Sequence, residues 1–211
     1  MIEKTKQHSP SFPLSKMLWN RAVIEYSKPE RPYHNVELIE HGWVVFGQIY
    51  VKPTLSQELA WIAHAVILDP SGKDAYKKSA AWLEQVFKPI KLDFGERSAI
   101  REAKQIVESL TNMLPKVDSA KAVIDVSLQR MSLPWKDFEL NTWRLKDEAP
   151  KMSIDDFVKK SQRLSQELLS REQIFNYPEA KRRWERKVKE NLTTNIEVKP
   201  LSQNRLFGVS P

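Results

Sequence analysis

The sequence predicts an all-α fold in a single domain, and three observations lead to this prediction. Apolar residues recur at helical spacing in one segment after another, whereas no stretch of any length alternates apolar and polar residues as a strand does. The chain has only five glycines, as is typical of a helix-rich protein. Its 211 residues fit one domain, because single hydrophobic cores stop growing near ~250–300 residues.

The first three helices are predicted from apolar spacing, turns and caps. We expect residues 1–12 to form a flexible polar arm that ends in Pro-containing sequence, which favours extended structure. An amphipathic helix begins near Leu14 and ends before the turn at residues 28–32. Asn35 can cap the second helix, and the Pro-Thr pair at residues 53–54 opens the third.

Six further helices are predicted along the rest of the chain. They span residues 74–87, 95–114, 119–130, 135–148, 153–172 and 178–192. Ser153 and Asp156 have the spacing of a capping box, and Pro178 suits the first turn of the last helix. We therefore expect a helical domain over residues 13–192, followed by a polar C-terminal tail over residues 193–211.

Composition excludes several kinds of site. Because the chain has no cysteine, disulfides, cysteine-based zinc sites and a cysteine nucleophile are all excluded. The longest apolar runs, such as residues 61–68, fall well short of the ~20 residues needed to span a bilayer. The N-terminus also lacks the apolar core of a signal peptide. We therefore expect a cytoplasmic protein with no membrane partner.

Positive charge is the most marked feature of the composition. The net charge of +7 favours an anionic ligand or an acidic protein partner. The densest basic stretch is KRRWERKVK at residues 181–189, which Glu185 interrupts, and its simplest interpretation is a solvated helix face. The alternative is nucleic-acid binding, because bases stack on exposed aromatic rings beside basic residues. The candidates for that role are Lys181, Arg182, Arg183 and Trp184.

Three stretches, in this order, resemble the metal-dependent phosphohydrolases of the HD superfamily. Residues 30–35 (ERPYHN) resemble the family's approach to a Tyr-His-Asn motif, whose His is a metal ligand. Residues 58–70 resemble the helix that carries the His-Asp doublet, and residues 174–192 resemble the closing helix. The resemblance covers roughly residues 14–192 and implies a helical bundle of the HD-domain type.

The resemblance also implies a metal site and a reaction. Family members hold a divalent ion, here Mn or Mg, with histidines and carboxylates from separate helices. The ion lowers the pKa of its water and neutralises charge at the phosphorus centre. The corresponding positions are His34, His64-Ala65 for the doublet, and Asp125 as the best match for a late Asp.

The chain departs from the family pattern at this site. Ala65 in place of Asp removes an oxygen ligand and a negative charge. Leu38 occupies a position where the family often has a second His, and Lys77 and Lys78 stand where acidic residues are usual. We therefore interpret His34, His64 and Asp125 as vestigial metal ligands, and we assign no catalytic residue and no cofactor.

Plainer roles exist for the same residues. His34 can be a turn or capping histidine, and His64 can be a core histidine with a hydrogen-bond partner. Asp125 lies in apolar sequence and would be costly to bury unpaired, so we expect it to contact the two histidines or a metal.

The residues thus predict a catalytically impaired HD-like protein that binds a nucleotide, another phosphate ligand or a protein partner. The candidate phosphate-binding residues are Arg31, Tyr33, Asn35, Lys77 and Lys78. One alternative is a residual phosphohydrolase in which His34, His64 and Asp125 still hold Mn or Mg. The other is nucleic-acid binding through the basic C-terminal helix.

Overall fold

A computed structural model describes residues 9–69, 71 and 74–197 of the chain. All regular structure within these residues is helical, which confirms the predicted all-α class. The α-helices are α1 Pro13–Tyr26, α2 Val36–Gln48, α3 Leu55–Ala63, α4 Ala75–Phe87, α5 Phe94–Ser109, α6 Ala120–Leu128, α7 Trp135–Asp147, α8 Ile154–Leu169 and α9 Pro178–Glu197, with a 3₁₀ turn at Gln129–Ser132.

Helix starts follow local capping chemistry. The Asn35 side chain accepts the amide of Leu38, and the Ser153 side chain accepts the amide of Asp156. Thr54 forms a reciprocal capping box with Gln57 at the start of α3. These contacts join residues three apart, so the predicted starts of α2, α3 and α8 are confirmed.

Two helix ends differ from the prediction by five residues. Helix α5 ends at Ser109 rather than at residue 114, because the Ser109 hydroxyl accepts the amide of Lys116 and the chain passes through Met113 at φ 53°. Helix α9 continues to Glu197, past the predicted domain end at residue 192. The rest of the predicted tail, and residues 1–8 of the predicted arm, lie outside the described residues.

Helix α3 lies at the centre of the fold. Its residues from Ser56 to Ala63 are all buried, and it packs against α1 and α5 and also touches α2, α4 and α6. Its one buried carboxylate, Glu58, accepts hydrogen bonds from the backbone and the hydroxyl of Ser11, which holds the end of the N-terminal arm against the core. His64 follows directly at the C-terminus of this helix.

Helices α7 and α8 lie outside this core. Helix α7 packs against the 3₁₀ turn, and α8 packs along α9. Residues of both helices line a cavity together with His64 at the C-terminal end of α3. Within the described residues, none of the helices combines the length and apolar character needed to cross a bilayer.

Candidate functional site

A cavity of about 490 Å³ lies between the C-terminal end of α3 and helices α7 and α8. Its volume is in the range of small-molecule binding sites. Most of its wall is apolar and includes Leu110, Phe138, Leu145 and Leu164. We define the polar cluster as five of its residues, Tyr33, His34, His64, Arg130 and Glu148. The lining also contains other charged residues: Asp69, Lys160, Arg163 and Glu167.

Glu148 fixes the position of His34 in the polar cluster. Its Oε2 lies 2.5 Å from Nδ1 of His34, and its Oε1 accepts the backbone amides of Tyr33 and His34 at 2.9 and 2.6 Å. Burial opposes ionisation of Glu148, but the hydrogen bonds from His34 and Tyr33 outweigh it and lower the pKa of this carboxyl. The carboxylate is therefore ionised, and Nδ1 of His34 donates to it.

His64 is held by Trp61, one turn earlier in the chain. Its Nδ1 lies 2.7 Å from the Trp61 carbonyl oxygen, and the imidazole stacks on the indole with 4.4 Å between ring centroids. Burial, with a smaller contribution from His34, lowers the pKa of His64 to about 3. The ring is therefore neutral at physiological pH, and since its Nδ1 donates to a carbonyl, its Nε2 is a hydrogen-bond acceptor.

The two histidines lie side by side. Their ring centroids are 6.0 Å apart in an edge-to-face arrangement. In both rings Nδ1 is occupied by a protein acceptor, so Nε2 is the remaining nitrogen. Ala65, which is 4% exposed, also lines the cavity and adds no polar side chain next to them.

Tyr33 and Arg130 complete the polar cluster. The Arg130 guanidinium lies over the Tyr33 ring, 5.5 Å from its centroid, and the Tyr33 ring meets His34 edge-on at 4.8 Å. Burial raises the pKa of the Tyr33 hydroxyl despite the nearby guanidinium. Arg130 contacts no carboxylate within ion-pair distance in the part of the chain that the structure describes. This leaves a half-buried cation beside Tyr33 in the cavity wall.

Asp125 is placed elsewhere, contrary to our expectation that it contacts the histidines or a metal. It is fully buried, and its carboxylate accepts the amides of Asn176 and Tyr177 and the side-chain amide of Asn176 at 2.8–3.0 Å. Burial raises the pKa of Asp125 to about 6 against these hydrogen bonds. Because Asn176 and Tyr177 directly precede Pro178, Asp125 is an acceptor for the segment that leads into α9.

Two candidate phosphate-binding residues have structural roles. The buried Arg31 donates from Nη1 to the Ala65 carbonyl at 2.7 Å and from Nη2 to the Val66 carbonyl at 2.5 Å, which fixes the turn after His64. The side chain of Asn35 caps α2. Tyr33 is therefore the one residue of the predicted phosphate-binding group that lines the cavity.

The two predicted lysines lie outside the cavity lining. Lys77 and Lys78 are both exposed on the first turn of α4. Lys78 lies 3.4 Å from the Asp69 carboxylate, and Asp69 also accepts hydrogen bonds from Ser71 and Asp74 as a turn residue. These contacts explain why burial does not prevent its ionisation, and the pKa of Asp69 is lowered chiefly by the amide of Asp74.

None of residues 181–189, the basic stretch of α9, lines the cavity. The tryptophan of this stretch is buried. Trp184 is only 8% exposed and packs on Phe175 with 5.6 Å between ring centroids, so the expectation of an exposed stacking ring was wrong. Helical periodicity turns this residue inward while Arg182 and Arg183 remain exposed. Both arginines pair with Glu179.

Sequence reasoning missed Glu148 and Arg130. Each lies at the end of a predicted helix, among polar residues that are typical of a solvated surface. Only the packing of α7 against the rest of the chain brings Glu148 to His34, which is 114 residues away. No local pattern in the sequence indicates the contact between Glu148 and His34.

The metal site that the resemblance implies needs histidine and carboxylate ligands, and the cavity supplies only part of that set. His34 and His64 supply two imidazoles, but the carboxylate positions contribute no ligand. Position 65 is an alanine, and Asp125 is bonded to Asn176 and Tyr177. Among the described residues, no group of three or more His, Asp and Glu side chains is arranged to hold a metal ion. The residues present do not match the family's full donor set.

Comparison of the chain with protein-family models, with curated proteins and with solved structures gave no match. The HD resemblance therefore remains a prediction from residues 30–35, 58–70 and 174–192. The cavity and its polar cluster are the observations on which a function can be argued.

Proposed function

We propose that this chain is an HD-like protein that binds a phosphorylated small molecule of nucleotide size without hydrolysing it. One observation carries the proposal. The polar cluster contains both histidines and an arginine, whereas neither expected carboxylate ligand is part of it. Position 65 is an alanine, and Asp125 is engaged by Asn176 and Tyr177. A site of this composition favours holding an anion over activating water on a metal.

The charges at the cavity support an anionic ligand. Glu148 is engaged by His34, and Asp69 is engaged by its own turn and by Lys78. Arg130 is the cation of the polar cluster, and its planar guanidinium suits bidentate contact with a phosphate. The neutral His64 presents an acceptor nitrogen to a hydroxyl or an amine of the same ligand.

The apolar wall supports a ligand with an apolar or aromatic body. Phe138 and Leu145 come from α7, and Leu164 comes from α8. Small-molecule sites commonly combine such walls with a few polar groups that set orientation. A nucleotide fits this description, with its base against the wall and its phosphate at Arg130.

Binding is tested by thermal unfolding and titration calorimetry with nucleoside mono-, di- and triphosphates and with inorganic phosphate, all in EDTA. A ligand at 100 times its Kd stabilises the folded chain by about 2.7 kcal/mol, so at least one nucleotide is expected to raise Tm. Arg130→Gln is expected to remove the shift, and Arg101→Gln, an exposed arginine on α5, serves as the matched control. An equal shift in Arg130→Gln, or release of phosphate from the bound nucleotide, would contradict the proposal.

One observation favours a second candidate, a residual metal-dependent phosphohydrolase. In both histidines a hydrogen-bond acceptor of the protein fixes Nδ1. The acceptor is the Glu148 carboxylate for His34 and the Trp61 carbonyl for His64. Outer partners of this kind orient metal-ligating histidines in many proteins. This candidate predicts stoichiometric Mn²⁺ by elemental analysis and phosphate release that His34→Gln and His64→Gln each abolish. Substoichiometric Mn²⁺ with no phosphate release would exclude it.

A further inference from the structure

His34 and His64 both line the cavity, but the groups that hold their rings differ in charge. Nδ1 of His34 lies 2.5 Å from a carboxylate oxygen of Glu148, whereas Nδ1 of His64 lies 2.7 Å from the carbonyl oxygen of Trp61. In the neutral form of each ring the hydrogen therefore occupies Nδ1, and Nε2 carries a lone pair. Each ring thus has the electron pair that a nucleophile requires.

The carboxylate next to His34 suits this ring, rather than His64, to nucleophilic attack. An imidazole that attacks through Nε2 becomes a cation, and an adjacent carboxylate stabilises such a cation. Glu148 is ionised, because its hydrogen bonds lower the pKa of the carboxyl, and it is 6% exposed, so little water screens its charge. The carbonyl next to His64 carries no charge, and burial lowers the pKa of that ring.

The His34 side chain is both fixed and accessible. The Glu148 carboxylate accepts the backbone amides of Tyr33 and His34 at 2.9 and 2.6 Å, which fixes the segment that carries the ring. The His34 side chain is 16% exposed, whereas His64 is 2% exposed. A ligand in the cavity therefore reaches His34 more readily than His64.

One aromatic ring connects His34 with Arg130. The Tyr33 ring meets the His34 imidazole edge-on with 4.8 Å between centroids, and the Arg130 guanidinium lies over the same tyrosine, 5.5 Å from its centroid. A guanidinium binds phosphoryl oxygens and neutralises the charge that develops on them. The polar cluster therefore contains a nucleophile and a group that stabilises a transferring phosphoryl group.

We propose that His34 is a phosphorylation site that accepts the γ-phosphoryl group of a nucleoside triphosphate. This inference rests on the proposed binding of nucleotides in the cavity. The lone pair of Nε2 forms a bond to the γ-phosphorus, the bond from that phosphorus to the bridging oxygen breaks, and its electron pair leaves with the nucleoside diphosphate. The Nδ1 hydrogen stays in its bond to Glu148, and Mg²⁺ enters with the triphosphate as part of the substrate. The phosphoryl group goes to the protein and not to water, so no phosphate is released.

The experiment incubates the full chain with Mg²⁺ and with ATP or GTP that carries ³²P at the γ-phosphate, and measures label on the denatured protein. We expect label that is stable in alkali and lost in acid, as for phosphohistidine, and none from nucleotides labelled at the α-phosphate. Mass spectrometry should place the phosphoryl group on His34, and His34→Gln should reduce the label to background. His41→Gln should be labelled like wild type, because this half-buried histidine bonds to Gln129 outside the cavity lining.

Glu148→Gln separates the effect of the charge from that of the fold. Glutamine retains an oxygen acceptor for the two amides but carries no charge, so the rate of labelling at saturating nucleotide should fall by up to roughly 10⁴-fold. Circular dichroism checks that the variant is folded. Glu84→Gln, which affects an exposed ion pair with Lys104, is the control and should be labelled at the wild-type rate. Equal rates for Glu148→Gln and wild type would overturn the proposal.

Calorimetry with a non-hydrolysable ATP analogue tests nucleotide binding separately. Binding of the analogue without label on His34 would overturn this inference and leave the proposed function intact. Absence of binding by the analogue and by both triphosphates would overturn both. Label that persists in His34→Gln, or that is recovered only as free phosphate, would show transfer to another residue or to water and would also overturn the inference.

Discussion

The carboxylate of Glu148 and the imidazole of His34 form a buried pair, with 2.5 Å between Oε2 and Nδ1 across 114 residues of sequence. The pair joins the C-terminal end of α7 to the segment before α2. Through it the helix that covers the cavity is attached to the polar cluster beneath. Folding stability and ligand binding are therefore expected to depend on the same carboxylate.

Replacing Glu148 tests this attachment. Glu148→Ala leaves the amides of Tyr33 and His34 and the Nδ1 hydrogen without their acceptor, so we expect a loss of about 3 kcal/mol in the free energy of unfolding. Urea denaturation measures it. Glu84→Ala is the control, because Glu84 makes an exposed ion pair with Lys104 that should contribute less than about 1 kcal/mol. Equal effects of the two substitutions would contradict the assigned role.

The same pair predicts an acid dependence of stability. The pKa of Glu148 is lowered in the folded state, so below its ordinary value the unfolded chain binds more protons than the folded chain. The stabilising contribution is therefore complete above about pH 4.5 and is lost as the pH falls through the folded-state pKa. Chemical denaturation from pH 5 downward should show a shallower loss for Glu148→Gln than for wild type. Parallel curves would show that another group causes the loss.

His64 should remain neutral far below the usual titration range of histidine. Its pKa is lowered to about 3 by burial, whereas in the unfolded chain it titrates near 6.5. The unfolded state therefore takes up the proton first, and stability falls by up to about 1.4 kcal/mol per pH unit as the pH drops below 6.5. Long-range ¹H–¹⁵N NMR should show a neutral His64 ring with hydrogen on Nδ1 at pH 5. The urea-unfolded chain provides the reference, and titration of the folded-state signal near pH 6.5 would contradict the buried position.

Restoring the missing carboxylate tests the link with the HD superfamily. Ala65 lies in the cavity wall next to His64, so Ala65→Asp adds the oxygen ligand that the family resemblance predicts there. We expect Ala65→Asp to bind Mn²⁺ at least ~10-fold more tightly than wild type, and to be stabilised by the metal in thermal unfolding. Ala65→Asn has nearly the same shape without the charge and is the control. Equal Mn²⁺ affinity for the two variants would count against a former metal site.

Gly42 leaves room for the Trp61 indole, on which the His64 imidazole stacks. A Cβ at this position would lie 2.2 Å from Cε2 and Cζ2 of the buried Trp61 indole, which carries the His64 imidazole. Gly42→Ala should therefore displace Trp61 and cost about 3 kcal/mol of stability. Tryptophan fluorescence and denaturation measure the two effects. Gly95→Ala, where the added Cβ meets only Asp93 at 3.4 Å, should stay within about 1 kcal/mol of wild type.

Much of the helical order could be predicted because it depends on contacts close in sequence. Asn35, Thr54 and Ser153 each bond to an amide three residues later, and such pairs can be recognised without knowledge of the fold. The end of α5 could not be predicted in this way. It depends on Ser109 accepting an amide seven residues later and on Met113 in the left-handed region, for which the sequence has no glycine as a signal.

The sequence by itself determined the all-α class and the order and the starts of the helices. Only the tertiary structure decided the partners of the buried charges. Glu148 bonds to His34, Asp125 bonds to the start of α9, and Trp184 turns inward while Tyr50 stays exposed. Capping and periodicity act over three or four residues, whereas a buried carboxylate takes the donors that helix packing brings to it, wherever they lie in the chain.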